Sequence, residues 1–253
     1  MSLSNKQLER YSRNILLKGV GIKGQEKLLS SKVLVIGAGG LGSPAAMYLA
    51  AAGVGTIGIA DKDKVELSNL NRQILHKTNK TGTDKTKSAQ ETINDLNQDI
   101  KVNIYTEILS DNISKIISEY DFVIDATDNF ETKFLINDSC VKCKKPFSHA
   151  GIVGFEGQLM TYVPNEGCCY RCVFKEPPKK ECVSSCSTDG VLGAAVGTIG
   201  TLQATEAIKY ILGTGELLTG HLLTYNALTS EFRKIKLPPA DEECPACGHL
   251  TKI

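Results

Sequence analysis

The chain has 253 residues, of which 42% are hydrophobic and 23% charged, the ordinary composition of a globular protein. Its 29 lysines and arginines against 28 aspartates and glutamates give a formal net charge of +1. So small a net charge sets up no global field for nucleic acid or an anionic membrane, and any anionic ligand must be held by local groups.

The first half of the chain alternates predicted strands and helices. Ser4 or Asn5 is expected to cap an N-terminal amphipathic helix that carries Leu8, Tyr11 and Ile15. Short apolar runs predict buried strands at 33–36, 56–60, 102–105, 122–126 and 147–150. Helical spacing predicts helices at 41–52, 83–96, 113–117 and 130–141. This alternation is typical of a Rossmann-like, doubly wound, mostly parallel α/β sheet with right-handed crossovers.

The pattern changes after residue 151. Residues 158–163, 221–225 and 231–237 alternate like antiparallel strands, and a helix rich in small residues is predicted over Gly193–Leu212. The sequence has no internal repeat, low-complexity tract or linker. We therefore predict one domain over residues 1–253, with a nucleotide-binding half at 1–150 and an antiparallel extension of the same sheet at 151–253.

A glycine-rich turn follows the first predicted strand and opens the next helix. Gly37, Gly39 and Gly42, with Gly40 between them, have the spacing that permits a tight turn and close approach of the backbone to phosphate. The helix N-terminus adds amide donors for an anion. Asp61 ends the second strand, where an acidic side chain accepts hydrogen bonds from ribose. NAD and ATP fit these residues equally well.

Two cations and a further carboxylate favour ATP. Arg72 lies in the loop after the second strand and Lys85 opens the following helix. Either alone would be an ordinary surface charge, but beside the glycine turn they indicate a clamp for a triphosphate tail. Asp128, just past a strand, is a candidate Mg²⁺ ligand. The alternative for Asp128 is the N-cap of the helix that starts near Phe130, and the two roles are compatible.

The compartment bears on how the nine cysteines are interpreted. The longest apolar stretches, such as residues 45–52, are far shorter than the roughly 20 residues of a membrane span. Residues 1–10 are polar and include no apolar core of a secretory signal. We therefore expect a cytoplasmic protein without membrane attachment. In that compartment disulfides are rare, so metal binding or thiol chemistry is favoured.

Two C-x-x-C pairs predict a Cys₄ zinc site, provided the fold brings them together. The pairs are formed by Cys169, Cys172, Cys244 and Cys247. The alternative is a redox dithiol, which is expected at a helix N-terminus, and the sequence indicates no such setting for either pair.

Cys186 lies in a polar loop just before the long helix of the second half. A thiol near a helix N-terminus can have a lowered pKa and act as a nucleophile. The alternative is a non-essential surface cysteine, and Cys182 is a second thiol in the same loop.

With these residues in place, the chain resembles the ThiF/MoeB/HesA family, the bacterial relatives of the ubiquitin-activating enzymes. The resemblance runs nearly end to end. It rests on residues 10–13, 37–43, 61–73 and 127–129 and on the four paired cysteines.

The resemblance implies a role for each matching residue. It implies that Arg13 reaches the triphosphate bound by the neighbouring subunit of a homodimer, and that Asp61 binds ribose. It implies that Arg72 and Lys85 bind phosphates and that Asp128 holds Mg²⁺. Asn69 and Gln73 match positions that line the nucleotide site in this family. The Cys186 position carries a loop cysteine that some members link covalently to a carrier protein.

The implied activity is that of an ATP-dependent adenylyltransferase. It would activate the C-terminal Gly-Gly carboxylate of a ubiquitin-like sulfur-carrier protein as an acyl-adenylate, releasing pyrophosphate, for thiamin or molybdopterin cofactor biosynthesis. We expect no rhodanese-like domain, and sulfur is therefore expected from a separate donor, a cysteine desulfurase or rhodanese-like protein. The alternatives are an NAD-dependent oxidoreductase using the same glycine turn, and a non-catalytic docking module for a ubiquitin-like protein.

Overall fold

The computed structural model describes residues 3–107, 112–177 and 189–248. Five parallel strands form one part of the sheet: β1 Lys32–Ile36, β2 Thr56–Ala60, β3 Lys101–Tyr105, β4 Phe122–Asp125 and β5 Phe147–Val153. Three strands continue it in antiparallel fashion: β6 Glu156–Tyr162, β7 His221–Asn226 and β8 Glu231–Lys236. The eight strands have the order β3-β2-β1-β4-β5-β6-β7-β8. The predicted fold class is confirmed.

The helices cover both faces of the sheet. Their bounds are α1 Asn5–Arg10, α2 Ser12–Ile15, α3 Gly21–Ser30, α4 Gly42–Ala52, α5 Lys85–Leu96, α6 Ile113–Ser118, α7 Phe130–Lys142, α8 Tyr170–Val173 and α9 Gly193–Leu212. Side chains of a strand alternate between faces, so Val33 and Val35 join a core with α3, α4, α5 and α9. Leu34 and Ile36 join the opposite core with α6 and α7. Burial of both faces explains the unbroken apolar run of β1.

The N-terminal helix differs from the prediction. Ser4 does cap α1: its hydroxyl accepts from the Gln7 amide, and the Gln7 side chain accepts from the Ser4 amide. The helical region is, however, divided at Tyr11 into α1 and α2. The helix α3 was not predicted at all, because buried Gly24 and Gln25 interrupt its apolar pattern. Among the described residues no helix has the length and apolarity to cross a membrane.

Strand β5 joins the two parts of the sheet. Its first residues pair with β4 in parallel, whereas the whole strand pairs with β6 in an antiparallel hairpin. It therefore extends to Val153, three residues beyond the predicted end at Ala150. These last residues of β5 carry the carboxyl edge of the parallel strands onto the extension.

Candidate active site and metal centre

A cavity of about 1880 Å³ lies along the carboxyl ends of the parallel strands and continues onto the extension. This is where ligands bind in open α/β sheets. Eight predicted nucleotide-site residues line it: Gly37, Gly39, Gly40, Asp61, Arg72, Gln73, Lys85 and Asp128. From the extension it is lined by Gly151, Gly157, Tyr225, Asn226 and Arg233, among others. The volume exceeds the 300–1,000 Å³ that is typical of a small-ligand pocket.

The glycine turn owes its shape to two positions that exclude a side chain. Gly37 has φ +99°, and a Cβ there would lie 2.6 Å from the carbonyl oxygen of Ala126. At Gly42 a Cβ would lie 1.8 Å from the carbonyl oxygen of Gly37. Gly42 is the first residue of α4 and does not itself line the cavity. Its part in the site is to let the turn close onto the helix N-terminus.

The turn is held from two sides at Ala38. The Asp61 carboxylate accepts from the Ala38 amide at 2.7 Å and from the Asp63 amide at 2.9 Å. Nε2 of buried His76 lies 2.9 Å from the Ala38 carbonyl oxygen, and its Nδ1 lies 3.0 Å from Ser88 Oγ. Burial lowers the pKa of His76. Sequence reasoning missed His76, because its contact with the turn depends on the fold and not on spacing.

The two predicted cations differ in how they are held. Lys85 is buried, and its Nζ lies 3.1 Å from the Asp63 carboxylate, which also lines the cavity. Arg72 Nη1 donates to the Ser68 carbonyl oxygen at 3.1 Å and to Asn71 Oδ1 at 3.0 Å. Lys85 thus reaches the cavity from the first residue of α5 and Arg72 from the preceding loop, and neighbouring polar groups hold each in place.

Two other residues of the same loop have different surroundings. Gln73 is buried at the cavity wall, and its Oε1 has no hydrogen-bond partner within the described part of the chain. Asn69 does not line the cavity; its carbonyl oxygen accepts from the amides of Arg72 and Gln73. Asn69 therefore shapes the turn that presents Arg72.

Asp128 is exposed on the loop between β4 and α7 and lines the cavity. The alternative that Asp128 caps α7 is wrong. The cap is Asn129, whose Oδ1 accepts from the Thr132 amide at 2.9 Å. The Asp128 carboxylate is thereby left facing a cavity that also holds Lys85 and Arg72, a setting that suits an oxygen ligand for Mg²⁺.

Behind this loop lies a buried ionic cluster that sequence reasoning missed. The Asp125 carboxylate lies 2.8 Å from His149 Nδ1 and 3.5 Å from Lys133 Nζ, and all three side chains are at most 7% exposed. Burial raises the pKa of Asp125, but Lys133, His149 and Thr127 outweigh it and lower the pKa to about 2. Burial, aided by the Lys133 charge, lowers the pKa of His149 to about 4 despite its bond to Asp125.

The tautomer of His149 follows from these partners. A neutral imidazole beside an ionised carboxylate carries its proton on Nδ1 and donates it to Asp125. The other nitrogen, Nε2, is buried and has no hydrogen-bond partner within the described residues. The sequence did contain a signal for this pair, since Asp125 and His149 lie near the carboxyl ends of two predicted strands. In the structure these strands are neighbours, and the two residues stand opposite each other in the register.

The four paired cysteines meet in one buried cluster. The sulfur atoms of Cys169, Cys172, Cys244 and Cys247 all lie within 4.8 Å of one another. Neighbouring Sγ–Sγ distances of 3.8, 3.6 and 3.3 Å are close to the roughly 3.8 Å that four thiolates around a tetrahedral Zn²⁺ would have. The predicted convergence of the two pairs is confirmed, and the donor set fits Zn²⁺.

The expectation that neither cysteine pair lies at a helix N-terminus is wrong. Cys169 is the N-cap of α8, so one pair does begin a helix, although this helix has a single turn. Hydrogen bonds from Cys169 and from the Asp241 amide lower the pKa of the Cys172 thiol. Thiolate character serves metal binding as well as redox chemistry. Four thiols in one cluster, where a dithiol needs two, favour the metal.

The remaining predicted residues lie elsewhere. Arg13 is exposed on α2 and does not line the cavity of its own chain. The resemblance implies a role for Arg13 at the site of a neighbouring subunit. Cys182 and Cys186 lie outside the described residues.

Known proteins are similar to this chain over nearly its whole length. Residues 11–246 match the ThiF family. The adenylyltransferase and sulfurtransferase MOCS3 proteins of Culex quinquefasciatus and Aedes aegypti are each 48% identical to it over 255 residues. These alignments cover 99% of this chain and 58% of either relative, so the chain spans little more than half their length.

Solved structures share the fold. E. coli MccB with ATP superimposes with a TM-score of 0.81 at 25% identity, covering 94% of this chain and 74% of that one. E. coli MccB with MccA-N7isoASN gives a TM-score of 0.83 at 24% identity, covering 97% and 76%.

Proposed function

The chain belongs to the ThiF family, and from that premise we propose that it is an ATP-dependent adenylyltransferase acting on the C-terminal carboxylate of a ubiquitin-like carrier protein. The observation that carries the proposal is one cavity. The glycine turn lines this cavity together with the carboxylate of Asp61, the two cations Arg72 and Lys85, and the exposed carboxylate of Asp128. An adenylation site requires such groups for ribose, phosphates and a metal ion. The MOCS3 relatives are named adenylyltransferases, and MccB, of the same fold, has been solved with ATP.

In this proposal each residue has one task toward the nucleotide. Asp61, already fixed to the glycine turn, accepts from the ribose hydroxyls. Lys85 exchanges its partner Asp63 for phosphate, and Arg72 neutralises the departing pyrophosphate. Gln73 lines the cavity beside Arg72, and Asn69 shapes the loop that carries both residues. Mg²⁺, held by Asp128, would neutralise further charge on the triphosphate.

The reaction needs no general base from this chain. The nucleophile, a C-terminal carboxylate, is ionised at neutral pH and attacks the α-phosphorus of ATP. An acyl-adenylate forms as the bond to pyrophosphate breaks. The rate enhancement then comes from in-line positioning and from the cations that meet charge on the leaving group.

The carrier's tail is assigned to the part of the cavity on the extension. Gly151 and Gly157 line it, and a Cβ at Gly151 would lie 3.6 Å from Nε2 of Gln158, which also lines it. Walls without side chains make a channel in which an extended chain fits closely, and a Gly-Gly terminus is the narrowest such chain.

A homodimer would complete the site. Around exposed Arg13 the surface carries large apolar side chains that a monomer would leave in water: Leu16 is 74%, Leu17 59%, Ile22 52% and Tyr48 56% exposed. Such patches mark interaction surfaces. A second copy packed here would bring Arg13 to its neighbour's triphosphate.

Zn²⁺ is proposed to have a structural role. Cys169 and Cys172 follow β6, whereas Cys244 and Cys247 follow β8, so one ion would join the two ends of the extension. A closed set of four thiolates leaves no position for a substrate.

Sulfur transfer for thiamin or molybdopterin cofactors, with sulfur from a separate donor protein, is the pathway we propose. The MOCS3 relatives are also named sulfurtransferases, although this chain spans only 58% of their length. Cys186 is the candidate for a covalent link to the carrier. A non-reducing gel after incubation with ATP and carrier should show a thiol-sensitive adduct, and an equal adduct from Cys186→Ala would rule this cysteine out.

The test of the proposed function is direct detection of the product. Incubation with ATP, Mg²⁺ and a panel of Gly-Gly-ended carriers, followed by mass spectrometry, should show one carrier gaining the mass of AMP. The same carrier without its last glycine is the control and should stay unmodified. Tighter binding of NADH than of ATP would favour the oxidoreductase instead. Carrier binding without nucleotide turnover would favour the docking module.

A further inference from the structure

The Asp125 carboxylate has no role in the proposed function, yet it is a fully buried charge whose partners Lys133 and His149 line the cavity. It ends β4, is 0% exposed and precedes Asp128 by three residues. Burying a carboxylate is costly unless it is paired and hydrogen-bonded. Its ion-pair partner Lys133 and the hydrogen-bond donor His149 account for one oxygen, Oδ2. They leave open what the other oxygen does.

The second oxygen holds the loop that carries Asp128. Oδ1 accepts from the Thr127 amide at 3.0 Å and from Thr127 Oγ1 at 2.7 Å. The Asp125 carbonyl oxygen accepts from Gln203 Nε2 at 2.8 Å, which fixes the end of β4 to α9. A carboxylate that accepts two hydrogen bonds from one residue sets the direction in which the chain leaves the strand.

The same loop touches the glycine turn. The position of a Cβ on Gly37 is 2.6 Å from the Ala126 carbonyl oxygen and 3.3 Å from the Thr127 amide nitrogen. The two walls of the cavity therefore pack backbone to backbone at this point. A shift of Thr127 would move both the Asp128 carboxylate and its distance from the glycine turn.

We propose that Asp125 is a positioning residue, whose hydrogen bonds to Thr127 hold the Asp128 carboxylate where a nucleotide-bound divalent cation needs it. The inference rests on the proposed function only in assigning a Mg²⁺–nucleotide to this cavity. Lys133 and His149 act on the opposite oxygen: the Lys133 charge compensates the buried carboxylate, and the Nδ1–H of neutral His149 donates to it, which keeps it oriented toward Thr127. Asp125 itself does not touch the nucleotide.

Two variants test the proposal. Asp125→Asn removes the charge in nearly the same shape, and Thr127→Val removes one hydrogen bond without changing any charge. The control is Glu206→Gln, a buried carboxylate outside the cavity that pairs with Lys209 and accepts from Thr161 Oγ1. Calorimetry on the full chain would measure ATP affinity with excess EDTA and the Mg²⁺ concentration that gives half-maximal enhancement of binding.

If Asp125 is a positioning residue, its substitution should change the Mg²⁺ requirement but not the metal-free ATP affinity. Asp125→Asn should raise the half-saturating Mg²⁺ concentration about tenfold or more and Thr127→Val about threefold, with metal-free ATP affinity within about twofold. Glu206→Gln should lower the melting temperature and leave the Mg²⁺ requirement unchanged. Equal Mg²⁺ requirements in wild type and Thr127→Val would overturn the inference even if Asp125→Asn failed to fold. If wild type bound no ATP at all, the proposed function would fall first and the inference with it.

Discussion

The buried His149 gives the protein a stability that depends on pH in a calculable way. Burial lowers its pKa from 6.5 to about 4 in the folded state. As the pH falls below 6.5, the unfolded chain takes up a proton on this ring and the folded chain does not, until the pH reaches the folded pKa. The folded state therefore loses stability between these two pH values. From pH 7 to pH 5 these pKa values give a loss of about 2 kcal/mol.

The substitution that isolates the contribution of His149 to this pH-dependent loss of stability is His149→Asn. The asparagine amide still donates to Asp125 but does not titrate, so the variant should lack this loss although its stability at pH 7 is lower. Urea unfolding of both proteins at pH 7 and pH 5 measures the difference, because other titrating groups contribute equally to both. The quantity compared is the change with pH, not the absolute free energy of unfolding.

The control is Tyr170→Phe. The Tyr170 ring packs on His149 with centroids 4.3 Å apart, and burial raises the pKa of its hydroxyl, which stays protonated throughout. This variant disturbs the same place and should keep the wild-type loss. A His149→Asn variant that loses as much stability as wild type between pH 7 and pH 5 would refute a neutral, buried His149.

Three further predictions concern the turn, the metal centre and the dimer. Gly42→Ala should abolish ATP binding and lower the melting temperature, because its Cβ would lie 1.8 Å from a carbonyl oxygen. Calorimetry and thermal unfolding measure both effects, and the control Gly197→Ala, in open space on α9, should show neither. A Gly42→Ala protein that binds ATP normally would contradict the turn assignment. Cys244→Ser should lower the melting temperature and reduce the metal content, measured by mass spectrometry, from about one zinc per chain to near zero. The control Cys143→Ser, outside the cluster, should keep the metal. Freshly purified wild type without metal would contradict the zinc assignment. Leu17→Glu should convert a dimer to a monomer, as measured by light scattering. The control Leu228→Glu, at a side chain 71% exposed between β7 and β8, should remain a dimer. A monomeric wild type would remove the basis for Arg13 acting on its neighbour's site.

The sheet and the nucleotide wall were predictable from the sequence because their determinants are local. Buried parallel strands are short apolar runs, and β1 and β4 are read directly from them. The glycine turn is specified by positions that exclude a side chain, and these occur at fixed spacing. Asp61 and Lys85 lie at the ends of elements that the alternating pattern already located.

What the sequence did not reveal depends on contacts between distant segments. The helix α3 was missed because Gly24 packs on Leu212 and Gln25 donates to the Ala52 carbonyl oxygen, and both residues look polar or flexible in the sequence. The Asp125–His149 pair depends on the register between two strands. In the same way, Asn129 could not be distinguished from Asp128 as the cap of α7 without the backbone.

The central claim is that Arg72 and Lys85 act together on a triphosphate in this cavity. Carrier-dependent ATP–pyrophosphate exchange measures it most directly. Arg72→Ala should retain the wild-type melting temperature and lower exchange by about 100-fold or more. Lys80→Ala, which removes a surface cation paired with Glu91, should change exchange by less than about twofold. Exchange by Arg72→Ala at the wild-type rate would contradict the account.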